Sequence, residues 1–366
     1  MTAAVLVVNV GSTSLKLAVF DAGAGDELWS HETDGIAGFA DALAASPVAQ
    51  HDIIGVGHRI VHGGALFTTP VVVTADVEAA IEGAAQYAPL HNRAGLAGIH
   101  AARAAFGPDV AQVAVFDTAF HHTLPDFAAV YGGPYEWFAT GLRRYGFHGI
   151  SHENAARTAA ALLARPLDEL CLVTCHLGGG SSLAAVERGR SVDTTMGLTP
   201  LDGLIMTTRS GSVDPALVLH LVRAGATVDE VEDVLEHRSG VAGLSGTSGD
   251  LRDAAAARDA GSARAALAID AFVHRVATGV GAMAAALGRL DAIVFTGGIG
   301  EHSAEVRARV CDRFAFAGLR LDPARNAEAA GDAVISRAES PVAAVVVTAR
   351  EEAAIARACA ALVRQP

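Results

Sequence analysis

The sequence predicts an α/β protein made of two duplicated domains, and three observations carry that expectation. The first is a repeated hairpin, one near the start of each half, in which an apolar strand runs into a turn of glycine and small hydroxyl residues and then a second strand. Residues 3–20 read Ala-Ala-Val-Leu-Val-Val-Asn9-Val-Gly-Ser12-Thr-Ser14-Leu-Lys16-Leu-Ala-Val-Phe, and residues 171–182 read Cys-Leu-Val-Thr-Cys-His176-Leu177-Gly178-Gly179-Gly180-Ser-Ser. The second is the alternation of short apolar runs with helical stretches along the rest of the chain. The third is length: 366 residues are long for one core and comfortable for two.

Composition narrows the function classes. Apolar residues make up 51% of the chain and charged residues 18%, which describes a globular protein. The formal net charge of −13 argues against a broad nucleic-acid or anionic-membrane surface, though a local phosphate site remains compatible with it. No apolar run approaches the roughly 18 residues of a spanning helix, and the start Met1-Thr-Ala-Ala-Val has no basic leader region. A cytoplasmic protein without membrane or nucleic-acid partners is therefore expected. Four cysteines in so long a chain make no disulfide framework and are expected as buried thiols.

In chain order, each element ends on residues that can carry chemistry. The first hairpin turn contains Gly11, Ser12 and Ser14, and Asn9 stands where the second hairpin has His176. Residues 53–64 are a strand running into Gly-Gly, with His58, Arg59 and His62 near its end, where strands of such sheets present functional groups. A helix is expected over 75–88, a break at Pro89-Leu90-His91-Asn92, and a second helix over 94–105. Residues 113–117 form a strand that stops on Asp117. The stretch 131–152 is irregular and concentrates aromatic and basic residues, with Phe147 and His148 close to its end, before a helix to about residue 164.

The second hairpin has three consecutive glycines, whose N–H groups can line an anion site, with Ser181 and Ser182 adding donors. Beyond it come Pro200, Arg209, and helices over 215–224 and 228–237. Asp250-Leu251-Arg252 lies in a loop opening a long helical region to about residue 287. Residues 292–302 read as strand, glycine loop and helix, with Gly297, Gly298, Ile299, Gly300 and His302 in the loop and helix. A last strand over 342–347 precedes a helix that begins with Glu351 and Glu352, where carboxylates also suit the positive helix end. His148 and His152, like His58 and His62, are four apart, but no third ligand has suitable spacing, so no zinc site is expected.

These motifs together resemble the acetate kinase family. The resemblance is carried by Asn9 to Lys16, Gly57-His-Arg-Ile-Val-His-Gly-Gly64, Pro89-Leu-His-Asn92 and Phe116-Asp-Thr-Ala-Phe-His121. It continues through Arg144-Tyr-Gly-Phe-His-Gly149, His176 to Ser182, Met196 to Arg209, Phe295 to Glu301 and Glu351-Glu352. It implies two duplicated actin-like (ribonuclease H-like) domains flanking a nucleotide cleft, with 1–121 plus 353–366 in one domain and 122–352 in the other. It also implies reversible transfer of the ATP γ-phosphoryl group to acetate, with Mg²⁺ (or Mn²⁺) as metal, ATP and ADP as co-substrates, and a homodimer.

By position, the resemblance assigns Arg59, Asp117, His148, Arg209 and Asn9 to catalysis, and Asn9 and Glu351 to the metal. Arg59, Val61, Leu90, His91, Phe147 and Pro200 would surround the carboxylic acid. Ser12, Ser14, Lys16, His176, Leu177, Gly178, Gly179, Gly180, Asp250, Leu251, Arg252, Gly297, Gly298, Ile299, Gly300 and His302 would hold the nucleotide. The chemistry suits such a set: a carboxylate needs no base to become a nucleophile, so the work is alignment and charge neutralisation.

The chain departs from the family at Gly179, where Asn is usual, at His302, at Leu251 and at Ala349-Arg350, and it is compressed over about 21–52. The alternatives are a kinase for propionate or another short-chain acid and, from another class, a nucleotide-binding sensor on an actin-like fold. A mere binder has no need of Arg59, Asp117, His148 and Arg209 together.

Overall fold

The computed structural model describes residues 2–11 and 14–364, the side chains of Pro89 and Leu90 apart, so Ser12 and the Leu90 side chain lie outside the described residues. By its contacts the chain divides into two compact units. One is Met1–His122, Phe147–Asn154 and Arg350–Pro366; the other is Thr123–Gly146 and Ala155–Ala349. This division differs from the sequence reading in placing 122, 147–154 and 350–352 in the first unit.

The first unit holds a sheet of β1 (Ala3–Val10), β2 (Ser14–Asp21), β3 (Glu27–Asp34), β4 (Asp52–Ile60), β5 (Val71–Val72) and β6 (Ala111–Phe116), in the order β3-β2-β1-β4-β6-β5. The second holds β7 (Cys171–Leu177), β8 (Ser181–Glu187), β9 (Arg190–Thr194), β10 (Ala292–Thr296), β11 (Ala333–Val334) and β12 (Ala343–Val346), in the order β11-β12-β10-β7-β8-β9. With the second order read from its other edge, β9-β8-β7-β10-β12-β11, the two are the same position for position. So are the directions, since β1, β4 and β6 are parallel neighbours in one sheet as β7, β10 and β12 are in the other. The remaining pairs are antiparallel in both. The duplication read from two hairpins thus extends to the full sheets.

Strands buried on both faces form the centre of each unit. β1 is buried along nearly its whole length, and the helix Glu351–Val363 covers one face through Ile355, Ala356 and Cys359. Gly57 permits this close approach, because a Cβ there would stand 2.7 Å from Ile355 Cγ2. On the other face β1 packs on its own cluster, with Leu6, Val8 and Ala102 at its heart. In the second unit Cys175, Leu183, Phe272, Val276 and Phe295 share one core. All four cysteines are free and buried.

Two elements differ from the sequence expectation. The helix expected from residue 94 is Pro89–Phe106, because proline at its first position gives up an N–H that has no partner within the helix anyway. The start therefore puts His91 and Asn92 on its first turn. The helix Ala263–Leu287 contains an 18-residue window of mean hydropathy 1.2, so among the described residues one helix is apolar enough, by length and composition only, to cross a membrane, contrary to the reading of the sequence. Its alanines raise that mean, and its buried stripe, which includes Ile269, Phe272, Val276 and Val280, packs into the core of the second unit.

Candidate active site

In the first unit the parallel strands β1, β4 and β6 deliver their C-terminal ends to one edge of the sheet. Register pairs Arg59 with Val115 and Ile60 with Phe116, and the Asp117 N–H then donates to the Ile60 carbonyl at 2.9 Å. Arg59 and Asp117 are thereby adjacent although 58 residues apart in sequence. Arg59 Nε lies 3.1 Å from both Asp117 oxygens, and Nη2 donates to Oδ2 at 2.6 Å. Glu351 Oε2 stands 3.5 Å from Arg59 Nη1. Asn9, at the end of β1, donates from Nδ2 to Glu352 Oε1 at 3.0 Å.

Burial works against the Arg59 charge, but the carboxylates of Asp117, Glu351 and Glu352 outweigh it and hold the guanidinium charged. For Asp117, burial pushes the carboxyl up, while Arg59 and the His148 backbone N–H pull it back. The two-pronged contact requires an anionic acceptor, so the pair is an ion pair whose carboxylate is costly to ionise.

His148 has a left-handed backbone, φ 56°, which is uncommon for a residue with a side chain. Hydrogen bonds on either side hold it there. Gly149 N–H donates to the Asp117 carbonyl at 2.8 Å, and His121 Nε2 bonds the Phe147 carbonyl at 3.0 Å. The side chains of Phe147 and Val61 are buried, and Phe147 meets His62 edge-on at 5.4 Å. His62 is fixed in turn by Asn92, whose Oδ1 accepts the His62 N–H at 2.9 Å and whose Nδ2 donates to the His62 carbonyl at 2.9 Å. His91 is half-buried on the first turn of Pro89–Phe106.

Among the residues assigned no role from the sequence are His121, Asn92, Thr118, which accepts the Gly63 N–H at 3.0 Å, and Glu352. Their common signal is polarity inside a motif that the fold buries. Asn92, Thr118 and His121 are no more than 4% exposed, which sequence alone does not show.

Burial lowers His121 to about 4 against the bond to Phe147, and it does the same to His58, which bonds Gln112 at 2.7 Å. Both rings are neutral at pH 7 and favour folding above their unfolded value near 6.5, a contribution lost as pH falls toward 4. Each is worth about 3 kcal/mol over that window. His121→Gln keeps a donor for the Phe147 carbonyl and cannot titrate, so its urea midpoint is expected to fall less between pH 7 and about pH 4.5 than that of the parent. An unchanged pH slope would show that His121 does not carry this term.

In the second unit β7 and β8 pair from Cys171–Glu187 to Leu177–Ser181, closing the three-glycine turn. The turn and the end of β10 face a cavity of about 640 Å³, within the range of small-molecule sites. It is lined by Gly178, Gly179, Asp250, Leu251, Arg252, Gly298, Ile299 and His302 of the residues read from the sequence, with Thr207, Ser248 and Ser303 besides. Thr207 Oγ1 donates to the Gly179 carbonyl, which fixes the turn at its departure from the family. Asp250 caps the helix Leu251–Asp259 through the Arg252 N–H and is gripped by the Arg252 guanidinium at 2.6 Å.

Gly180, His176, Leu177, Gly297 and Gly300 are not among the lining residues, and the Leu177 side chain lies in the core. Arg209 pairs with Glu236 at 2.9 Å, and Pro200 is half-buried in the segment between β9 and Arg209. In the first unit Ser14 opens β2 and its carbonyl accepts the Gly11 N–H at 2.7 Å, while Lys16 is exposed, 3.9 Å from Glu32.

A duplicated α/β fold with a caged arginine at the strand ends of one unit and a glycine-lined, nucleotide-sized cavity in the other defines an actin-like phosphotransferase architecture. The acetokinase family model matches residues 29–357, and the chain belongs to that family. It is 54% identical over 308 residues, 84% of this chain and 76% of the relative, to a protein named acetate kinase from Synechococcus sp. (strain JA-2-3B'a(2-13)). The crystal structure of Porphyromonas gingivalis acetate kinase superposes with a TM-score of 0.89 at 35% identity, covering 99% of this chain and 100% of that one. That of a propionate kinase from Francisella tularensis subsp. tularensis SCHU S4 gives 0.90 at 35% identity, covering 98% and 99%.

Proposed function

We propose that the protein catalyses the reversible, direct in-line transfer of the ATP γ-phosphoryl group to acetate, giving acetyl phosphate and ADP, as a cytoplasmic homodimer. The observation that carries this reading is Arg59, a guanidinium kept charged by Asp117 and Glu351 at the end of β4, two residues before the buried Val61 and three before His62, against which the buried Phe147 packs. A permanently charged, planar fork suits a carboxylate and the oxygens of the phosphoryl group whose phosphorus it attacks, and apolar neighbours suit a methyl group.

The residues divide the work by chemistry. Arg59 attracts and orients the acid. Asp117 aligns that guanidinium and through it the attacking carboxylate. His148 stabilises charge on the equatorial phosphoryl oxygens, and Arg209, held by Glu236, does the same from the second unit's set of residues. The glycine turn and Thr207 bind the nucleotide.

The carboxylates fit a divalent cation. Asp117, Glu351 and Glu352 together act on one guanidinium, which leaves negative charge over, and all are hard oxygen donors. Among the described residues no group of three or more His, Cys, Asp or Glu is arranged to hold a metal alone. Mg²⁺ commonly uses one or two carboxylates with water and substrate phosphates, and Glu351 with Asn9 would supply the protein's share. When bound, the ion would neutralise phosphate charge.

The test is a hydroxamate assay of acyl phosphate made from acetate, propionate and butyrate. Acetate is expected to be the best acid, with propionate weaker, since one methylene is worth about 1–3 kcal/mol. No acyl phosphate from any of the three would sink the reading. Arg209→Leu is expected to lower kcat on the order of 10²-fold with the fold intact, and an unchanged kcat would make Arg209 structural.

A further inference from the structure

The second unit has another cavity, of about 220 Å³, at the opposite end of its sheet from the glycine turn. Asp291 and Ala343, at the starts of β10 and β12, form its floor, and the turn between β11 and β12 forms its rim. Its charged lining consists of Arg165, Arg325 and Arg337 against the single carboxylate of Asp291. That carboxylate is already engaged by Arg165 at 3.0 Å, by Arg289 at 3.2 Å and by the Cys171 N–H at 2.8 Å. Asp322 stands 3.8 Å from Arg325 and is occupied capping the helix Pro323–Glu328. Arg337 has no ion-pair partner among the described residues, and Glu339 on the same turn does not line the cavity.

Three guanidiniums around one spent carboxylate make a cationic pocket in a chain of net charge −13. A second feature points inward. Ser336 lines the cavity at 2% exposure, and its hydroxyl makes no hydrogen bond within the described residues. Its donor and acceptor capacity is therefore open to whatever occupies the cavity.

We propose that this pocket is a second anion site, which binds the phosphoryl group of inorganic phosphate or of a small phosphomonoester between Arg325, Arg337 and the Ser336 hydroxyl. Guanidiniums bind such oxyanions in pairs of parallel hydrogen bonds, and the volume accepts a phosphate with a short organic remnant. No part of the inference depends on the phosphotransferase reading.

The experiment is calorimetric titration of the full chain with orthophosphate and, separately, glycerol 3-phosphate. The parent is compared with Ser336→Ala, Arg337→Gln and, as a control in the other cavity, Thr207→Val. Arg337→Gln is expected to weaken binding about tenfold, the scale of one charge-assisted bond. Ser336→Ala is expected to weaken it severalfold with an unchanged thermal midpoint, since that hydroxyl bonds nothing in the protein. Equal affinity for both probes identifies the phosphate alone as the ligand, and preference for the ester identifies a phosphorylated metabolite. The inference is overturned by binding that only Thr207→Val weakens, by binding that none of the three variants changes, or by no binding of either probe up to the millimolar range.

Discussion

Arg59→Leu is expected to lower kcat/KM for acetate by on the order of 10³-fold, the largest effect of any single change in the first unit. Losing one transition-state donor commonly costs 10²–10³-fold, and in the proposed mechanism Arg59 also supplies the charge that draws the acid in. A structural consequence accompanies it. Asp117 is 1% exposed and leans on Arg59 through three hydrogen-bond contacts, so the leucine variant leaves a buried carboxylate unpaired. Breaking such a pair from one side costs about 3–5 kcal/mol.

The sign of its pH dependence follows. With Arg59 gone, burial and the Glu351 carboxylate act on Asp117 against only the His148 N–H and raise it further, so the variant regains stability as pH falls and Asp117 takes up a proton. Urea titrations at pH 7 and pH 5 read the stability term, and initial rates against acetate read the catalytic one. The double variant Arg59→Leu/Asp117→Asn separates them, since it restores stability without activity. Activity within tenfold of the parent in Arg59→Leu would remove Arg59 from the mechanism.

Gly149→Ala is expected to be nearly as damaging, although Gly149 carries no side chain. A Cβ there would stand 2.2 Å from the Asp117 carbonyl oxygen and 2.8 Å from Phe120 Cβ. Neither neighbour is the loose end of a flexible chain. The Gly149 N–H bond to that same carbonyl must stretch, and with it the link between Asp117 and the left-handed His148. Overpacking of this kind costs about 1–3 kcal/mol, which lowers Tm by roughly 2–12 °C for a unit of this size. A fall of kcat on the order of 10²-fold is expected from the displaced His148, the scale of misplacing a catalytic group by about 1 Å. KM for ATP should stay within twofold of the parent, because the cavity proposed for the nucleotide belongs to the other unit. A parent-like kcat at a temperature where the variant is folded would show that His148 does not need this backbone.

Much of the architecture was legible because its signals are local. The two hairpins were readable from apolar runs on either side of glycine and serine, and β1, β2, β7 and β8 fall there. Elements without a burial signature were not. β3 is mostly exposed along Glu27–Asp34, so nothing in its polar sequence alternates, and it is a strand only because β2 offers it an edge. The helix Pro89–Phe106 was read as starting late because proline looks like a breaker until its place at the first helical position is known.

The candidate site divides along the same line. Arg59, Asp117 and the glycine turns were singled out from their positions at strand ends and their resemblance to a known set. The roles of His121, Asn92 and Glu352 depend on hydrogen bonds between distant segments. Asn9 and Glu352 are 343 residues apart in the chain, and no spacing rule pairs them.

The sequence by itself determined the fold class, the duplication and the chemical types available, because hydrophobic period, turn residues and ordered motifs are properties of short windows. Tertiary structure alone decided which of those groups meet. The parallel register of β4 and β6 sets Arg59 beside Asp117, and the bare backbone at Gly57 lets the last helix bring Glu351 to them. A charge's surroundings are assembled from the whole chain, so Arg59 became a caged cation, and Asp117 a costly carboxylate, only once the sheet had formed around them.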